Sequence, residues 1–219
     1  MRALLLALLL CVPGLATASD SKAPGIDLDA TLVKMNAAYK GVQAITADFV
    51  QTSKGISYIE PVTQSGTISL EAPGKMRWDF VTPTKTQYLS DGTTLWVLEE
   101  ADRKCTEFGS VNEMLQLIYG FLTGTADPRE HFKVTVDSEK PPVEGQIALK
   151  LSPQEPQGSI ESLRVYLDPT SFRVMGVSML TPFGDRTDTV LANVTTPDDI
   201  PDADFVYTAR EGWRTVKAD

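Results

Sequence analysis

The stretch SGTISLEAPGKMRWDFVTP, Ser65 to Pro83, sets two alternating runs on either side of Pro73-Gly74. Ile68 and Leu70 share a face of the first run. In the second, Met76, Trp78 and Phe80 take one face while Lys75, Arg77 and Asp79 take the other. A period of two marks a strand buried on one side, and Pro-Gly between such runs turns the chain back. The stretch is therefore a half-buried hairpin, and what its aromatic face packs against is the question that decides the fold.

The same period recurs along the chain. ITADFVQ, TQYLSDGTTLWVLE, KVTVD, GQIALKL, SLRVYLD, RVMGVSMLT, TDTVLANV and DFVYTA alternate in the same way between clusters of Gly, Pro, Asp and Ser. Asp91-Gly92 and Asp168-Pro169-Thr170-Ser171 are hairpin and turn signals inside them. About ten to eleven strands in one unbroken stretch of uniform composition predict a mainly β (α+β) chain with one large antiparallel sheet. Such a sheet tends to curl or close, and beyond about eight strands its interior outgrows its own side chains. A hollow is expected, lined by Phe49, Ile68, Leu70, Met76, Trp78, Phe80, Leu95 and Val97. The weak pattern of TDTVLANV leaves its inner face unassigned.

Two segments follow helical spacing instead. From about Asp27 to Lys40, Leu28, Leu32, Met35 and Tyr39 form one stripe and Gly41 can end it. Ser110-Val111-Asn112-Glu113 fits a capping box, after which Met114, Leu117, Ile118, Phe121 and Leu122 recur at helical steps up to Gly124 and Pro128. Val111, Leu115 and Tyr119 make that second helix apolar on several faces, so it must be covered on more than one side. It is either a well-buried helix or a cover over a greasy cavity.

The chain opens MRALLLALLLCVPGLATAS, an Arg, an apolar run and a small-residue Ala16-Thr17-Ala18, which fits a secretory signal peptide over residues 1–18. The residue before Cys11 is Leu10, too large for a lipoprotein signal. Removing 18 of 219 residues leaves 201, one domain over residues 19–219, and loss of Arg2 takes the formal charge from −9 to −10. An acidic chain without a basic cluster argues against nucleic acid. Cys105 is then the single cysteine, so the core must hold the fold without an internal disulfide. His131 is the only histidine, and its polar loop context makes it a surface residue.

Catalytic patterns are missing: the chain has no Gly-x-Ser-x-Gly elbow, glycine-rich phosphate loop or His-Glu-x-x-His. Glu99-Glu100-Asp102 lies at a strand end and Asp185/Asp188 flanks a turn, where solvated carboxylates are the ordinary reading. No cofactor, metal or enzymatic activity is expected.

ADFVQT (Ala47–Thr52), the opening hairpin, QYLSDGTTLWVLE (Gln87–Glu99), FGDRTDTVLANV (Phe183–Val194) and DFVYTAREGWRTV (Asp204–Val216) together resemble the periplasmic outer-membrane lipoprotein carrier family, the LolA type. The resemblance implies an incomplete antiparallel barrel closed by a helical lid, with Met114, Leu117, Ile118, Phe121 and Leu122 as lid residues. It implies a periplasmic chaperone, acting as a monomer, that takes lipoproteins by their acyl chains from an inner-membrane ABC transporter and hands them to an outer-membrane receptor. Where that family often has an Arg, this chain has Ala72, which implies different gating. The neighbouring alternatives are the anchored receptor of the same fold, which a lipidated Cys11 would reveal, and a periplasmic lipid-binding or envelope-stress sensing module.

Overall fold

The computed structural model describes residues 25–109, 120, 127–155 and 160–218. The expected signal peptide and the expected lid residues Met114, Leu117, Ile118, Phe121 and Leu122 lie outside the described residues.

The alternating runs are strands: β1 (Ala44–Lys54), β2 (Val62–Glu71), β3 (Lys75–Thr82), β4 (Thr86–Asp91), β5 (Leu95–Glu99), β6 (Lys104–Phe108), β7 (Phe132–Val136), β8 (Ile147–Pro153), β9 (Ser162–Leu167), β10 (Val174–Leu180), β11 (Arg186–Thr195) and β12 (Arg214–Ala218). They form one sheet in the order β12-β6-β5-β4-β3-β2-β1-β11-β10-β9-β8-β7. Two meanders, β1 to β6 and β7 to β11, meet where β1 pairs antiparallel with β11. The end strands β12 and β7 do not pair with each other. Among the described residues, then, the sheet is open rather than a closed barrel, and a closing lid is not part of what they show.

The first helix, α1 (Leu28–Ala38), forms as its stripe predicts. Asp27 caps it by accepting from the Ala30 N–H at 3.1 Å, and Gly41 follows with φ 82°. Its buried residues Leu32 and Met35, with Tyr39 just past its end, join the main core on the inner face of the sheet. There the Tyr39 hydroxyl accepts from the Val174 N–H at 2.8 Å, tying the end of the helix to the start of β10.

Two expectations about strands need correction. DFVYTA is not a strand: residues 202–205 form a 3-10 turn, Asp202–Phe205, and the chain then crosses the outer face of the sheet. Phe205 packs with Ala44 and Ile200, and Tyr207 and Trp213 pack on Leu89, Trp96, Leu98 and Cys105. The alternation in DFVYTA arises because the segment covers an apolar outer patch rather than entering the ladder. Conversely, β6 and β12 are strands that the alternation did not predict; β12 pairs with β6 in parallel because the crossing segment returns the chain to that edge.

Turn chemistry fixes the hairpins near the opening stretch. Asp91 Oδ1 accepts from the N–H groups of Thr93 and Thr94, each at 2.8 Å, an Asx turn that holds β4 against β5. Gly92 has φ 97°, and a Cβ there would stand 2.9 Å from the Pro73 carbonyl oxygen. The β2–β3 and β4–β5 turns therefore stack backbone to backbone.

Candidate functional site: an apolar hollow with a polar rim

Register decides which side chains share the inner face. Phe49 stands opposite Gly66 and Leu191, and Gly66 stands opposite Phe80. Ile68 pairs with Ala47 and Trp78, and Leu70 with Ile45 and Met76. Trp78 faces Tyr88, which faces Val97, and Met76 faces Ser90, which faces Leu95. Cross-strand partners share a face, so all eight residues expected to line a hollow lie on one side of the sheet. Phe49, Ile68, Leu70, Met76 and Leu95 are buried there, and Trp78, Phe80 and Val97 are half-buried against them.

The aromatic residues form a cluster rather than a row. Phe49 meets Trp78 and Phe80 edge to face, with ring centroids 5.5 and 5.0 Å apart. Trp78 and Phe80 stack at 6.0 Å, and Phe80 meets Tyr88 at 5.8 Å. Such pairs add about 0.5–1.5 kcal/mol each to the area they bury. Gly66 makes this possible, since the absence of a side chain between Phe49 and Phe80 lets the rings meet across β2.

Beside this cluster, at the β1–β11 seam, is a cavity of about 290 Å³. Its floor is Ile68, Trp78, Leu163, Val177, Met179 and Leu191. Its rim is polar: Gln51, Ser53, Gln64, Thr187 and Thr189, with exposed Tyr58 at the edge. The face is thus graded, apolar where α1 packs and hydrogen-bonding toward the β1–β2 loop. Thr189 donates to Gln51 Oε1 and the Gln51 amide donates to Gln64 Oε1, both at 3.3 Å. The Ser53 and Thr187 hydroxyls share a bond of 3.2 Å. The Trp78 indole N–H is buried and has no partner among the described residues.

No charged side chain lines the cavity among the described residues. Burial raises the phenol pKa of Tyr39 and, with help from Glu99, that of Tyr88; both stay neutral. The acidic sets have structural partners instead: Glu99 pairs with Lys104 at 2.7 Å, Glu100 with Arg210 at 3.3 Å, and Asp188 with Arg186 at 2.7 Å. Asp185 accepts from the Ser57 N–H at 2.9 Å. Cys105 is buried under Trp213, with its thiol pushed up to about 11 chiefly by desolvation, and His131 is exposed. Among the described residues no group of three or more His, Cys, Asp or Glu could hold a metal.

Of the eight residues expected to line a hollow, Ile68 and Trp78 border this cavity while Phe49, Leu70, Met76, Phe80, Leu95 and Val97 pack in the core beside it, and sequence reasoning missed Leu163, Val177, Met179 and Leu191. Val177 and Met179 sit behind a register shift between Val174 and Gly176, which breaks the phase of the alternation. Leu191 shares its face with Thr189 and Thr187, so its strand looks polar on the side that faces the hollow.

The family model described as "Outer membrane lipoprotein carrier protein LolA" matches residues 40–208. The chain is 26% identical over 212 residues to an outer-membrane lipoprotein carrier protein of Bordetella avium (strain 197N), covering 97% of this chain and 94% of that one. It is 23% identical over 177 residues to one of Dechloromonas aromatica (strain RCB), covering 81% and 83%. Among solved structures, an uncharacterized conserved protein from Thermus thermophilus is similar with TM-score 0.55 and 10% identity, over 87% of this chain and 98% of that one. At that identity the likeness is one of fold.

Proposed function

We propose that this chain, which belongs to the outer membrane lipoprotein carrier protein (LolA) family, is a periplasmic chaperone that shields lipoprotein acyl chains on the inner face of its sheet. The observation that carries the reading is an apolar inner face, packed from Leu95 through Phe49 to Leu191, whose Ile68, Trp78, Met179 and Leu191 border an uncharged cavity. An acyl chain exposed to water costs about 0.8 kcal/mol per CH₂, and a wall of Met, Trp and Phe lowers that cost without selecting a head group. Loading from an inner-membrane ABC transporter and delivery to an outer-membrane receptor complete the role. Among the described residues no helix is long and apolar enough to cross a membrane. Residues 1–18 act as the export signal in this reading, and residues 19–219 as one carrier domain.

The cavity is at the small end of the range for ligand sites, roughly 300–1,000 Å³, so loading widens it. Residues 111–122 are the lid in this account, displaced by cargo as a two-state element.

The test is release of a newly made lipoprotein from spheroplasts by the purified protein. Soluble cargo appearing in the supernatant is the expected result, and cargo left in the membrane fraction sinks the proposal. Met179 is half-buried on the cavity floor, so Met179→Asp keeps the fold and lowers release at least about tenfold, as a charge against acyl chains should.

A further inference from the structure

Among the described residues the three most exposed large apolar side chains lie together at one end of the sheet. Ile59, Ile56 and Phe183 are 105%, 84% and 79% exposed. Ile56 and Ile59 belong to the loop from β1 to β2, and Phe183 to the turn between β10 and β11. Lys54 stands opposite Arg186 at the end of the β1–β11 pairing, so the two loops leave the sheet side by side. Turn tips ordinarily carry Gly, Pro, Asn, Asp or Ser, and nothing in the fold asks for Ile and Phe there.

The loops are tied in place, so these side chains are held in water. Asp185 accepts from the Ser57 N–H at 2.9 Å and from the Ser57 hydroxyl, joining one loop to the other. The Asp185 N–H donates to the Thr181 hydroxyl at 3.1 Å, and the Gly184 N–H to the Thr181 carbonyl at 3.0 Å. Exposure of this degree also means that the three side chains do not pack on one another: they are separate prongs. A protein partner would need a matching recess for each prong, whereas the boundary between head groups and acyl chains takes dispersed apolar groups of any shape. Charge narrows the kind of lipid surface. Residues 55–61 and 181–185 contain no Lys or Arg, their charges being Glu60 and Asp185, and the flanking Lys54 and Arg186 are both paired with Asp188. Anionic head groups therefore gain nothing here, and apolar insertion must supply the attraction.

We propose that Ile56, Ile59 and Phe183 form a lipid-surface contact that inserts into the interfacial region of a bilayer with zwitterionic head groups. Tyr58, in the same loop, borders the cavity and has the amphipathic ring that settles at head-group level. Docking thus sets the rim of the hollow against the bilayer instead of water. Three side chains without electrostatic help give weak, reversible binding, far short of an anchor. The contact goes beyond the carrier reading and needs no cargo.

The test is flotation of protein purified after export with vesicles of phosphatidylcholine and phosphatidylethanolamine. Wild-type protein should float, with no gain when phosphatidylglycerol is added and no loss in high salt. The triple variant Ile56→Ser, Ile59→Ser and Phe183→Ser should partition at least about tenfold less. All three sites are exposed, so the fold is kept, as thermal unfolding checks. Val143→Ser, also exposed but on the β7–β8 loop at the opposite end of the sheet, should float like wild type. Phe183→Trp should add a fluorescence that shifts to the blue on vesicles and is quenched by brominated acyl chains. No flotation of the wild type, flotation confined to anionic vesicles and lost in salt, or an unchanged triple variant overturns the contact. A triple variant that floats normally but turns a dimer into a monomer, or that fails to release lipoprotein from spheroplasts, overturns it too and assigns the prongs to a second copy or to another protein. Vesicle binding is read without cargo, so its failure leaves the carrier reading standing, and failure of cargo release by the wild type leaves the contact standing.

Discussion

A methyl group at position 66 would stand 1.7 Å from the Asp79 carbonyl oxygen and 3.1 Å from the Phe49 ring. Gly66→Ala must therefore push β2 from β3 or spread the aromatic cluster, a loss of about 3 kcal/mol at the upper end for overpacked sites, measurable as a lower urea midpoint. Tyr39→Phe removes one oxygen and leaves the buried Val174 N–H without its acceptor; the expected cost is about 1–3 kcal/mol, again read in urea. On the outer face Glu71 is buried, bonds Lys75 at 2.6 Å and accepts from the Ile200 N–H at 2.8 Å, while Lys75 also pairs with Asp202. The Lys75 ammonium foremost holds the Glu71 carboxyl below its usual value, against the opposing effect of burial. A carboxyl lowered by folding lends stability that is complete above its unfolded pKa, about 4.3, and is lost as pH falls through the lowered value. Glu71→Gln should accordingly lose less stability than wild type between pH 7 and pH 3 in parallel urea titrations. Equal losses would remove Glu71 from the acid transition. At this scale the sequence is half legible. Trp78 and its neighbours declare their face because period two is local, whereas an inward Gln64 or Thr189 carries the same signature as one facing water.

Among the elements, the best-read ones are those whose burial is one-sided and whose ends carry chemistry: α1 with Asp27 and Gly41, β2–β3 around Pro73-Gly74, β4–β5 around Asp91. The ones that escape reading depend on distant partners. Cys105 and Leu98 are buried because Tyr207 and Trp213, a hundred residues later, lie over them, and nothing near Lys104 announces that cover. Arg210 stacks on Trp213 at 4.7 Å and bonds Gln87 and Glu100, pinning the segment across the outer face. Cys105 reports on it. Its raised thiol should resist an aqueous disulfide reagent in the native protein at pH 8. A chain truncated after Pro197 should label at Cys105 many times faster, as followed by mass spectrometry of the Cys105 peptide. Equal rates in the two chains would mean that the C-terminal segment does not seal β4–β6.

For the whole molecule, the sequence indicates one wide antiparallel sheet with a hollow, and the strand count and helix count leave its closure open. The pairing of β1 with β11 joins residues about 140 apart, and no local signal encodes it; it follows from two greasy meanders needing to share one interior. Family membership narrows the role further than any side chain does, because the lining is generic hydrocarbon and aromatic surface. Among the described residues β12 and β7 end the sheet without pairing with each other, and this carries a mechanical consequence. In a closed barrel, strand number and shear are integers that fix the radius, so girth changes only by breaking ladder bonds. An open sheet has no such integers, and its curvature is a continuous variable, like the bend of a leaf spring. On the carrier reading proposed above, bulky cargo would be admitted by uncoiling the sheet while each strand keeps its neighbours. Small-angle scattering should show a larger radius of gyration on loading, with amide exchange in β1, β2 and β11 as slow as before; faster exchange along the β1–β11 seam would mean that the sheet parts rather than flexes.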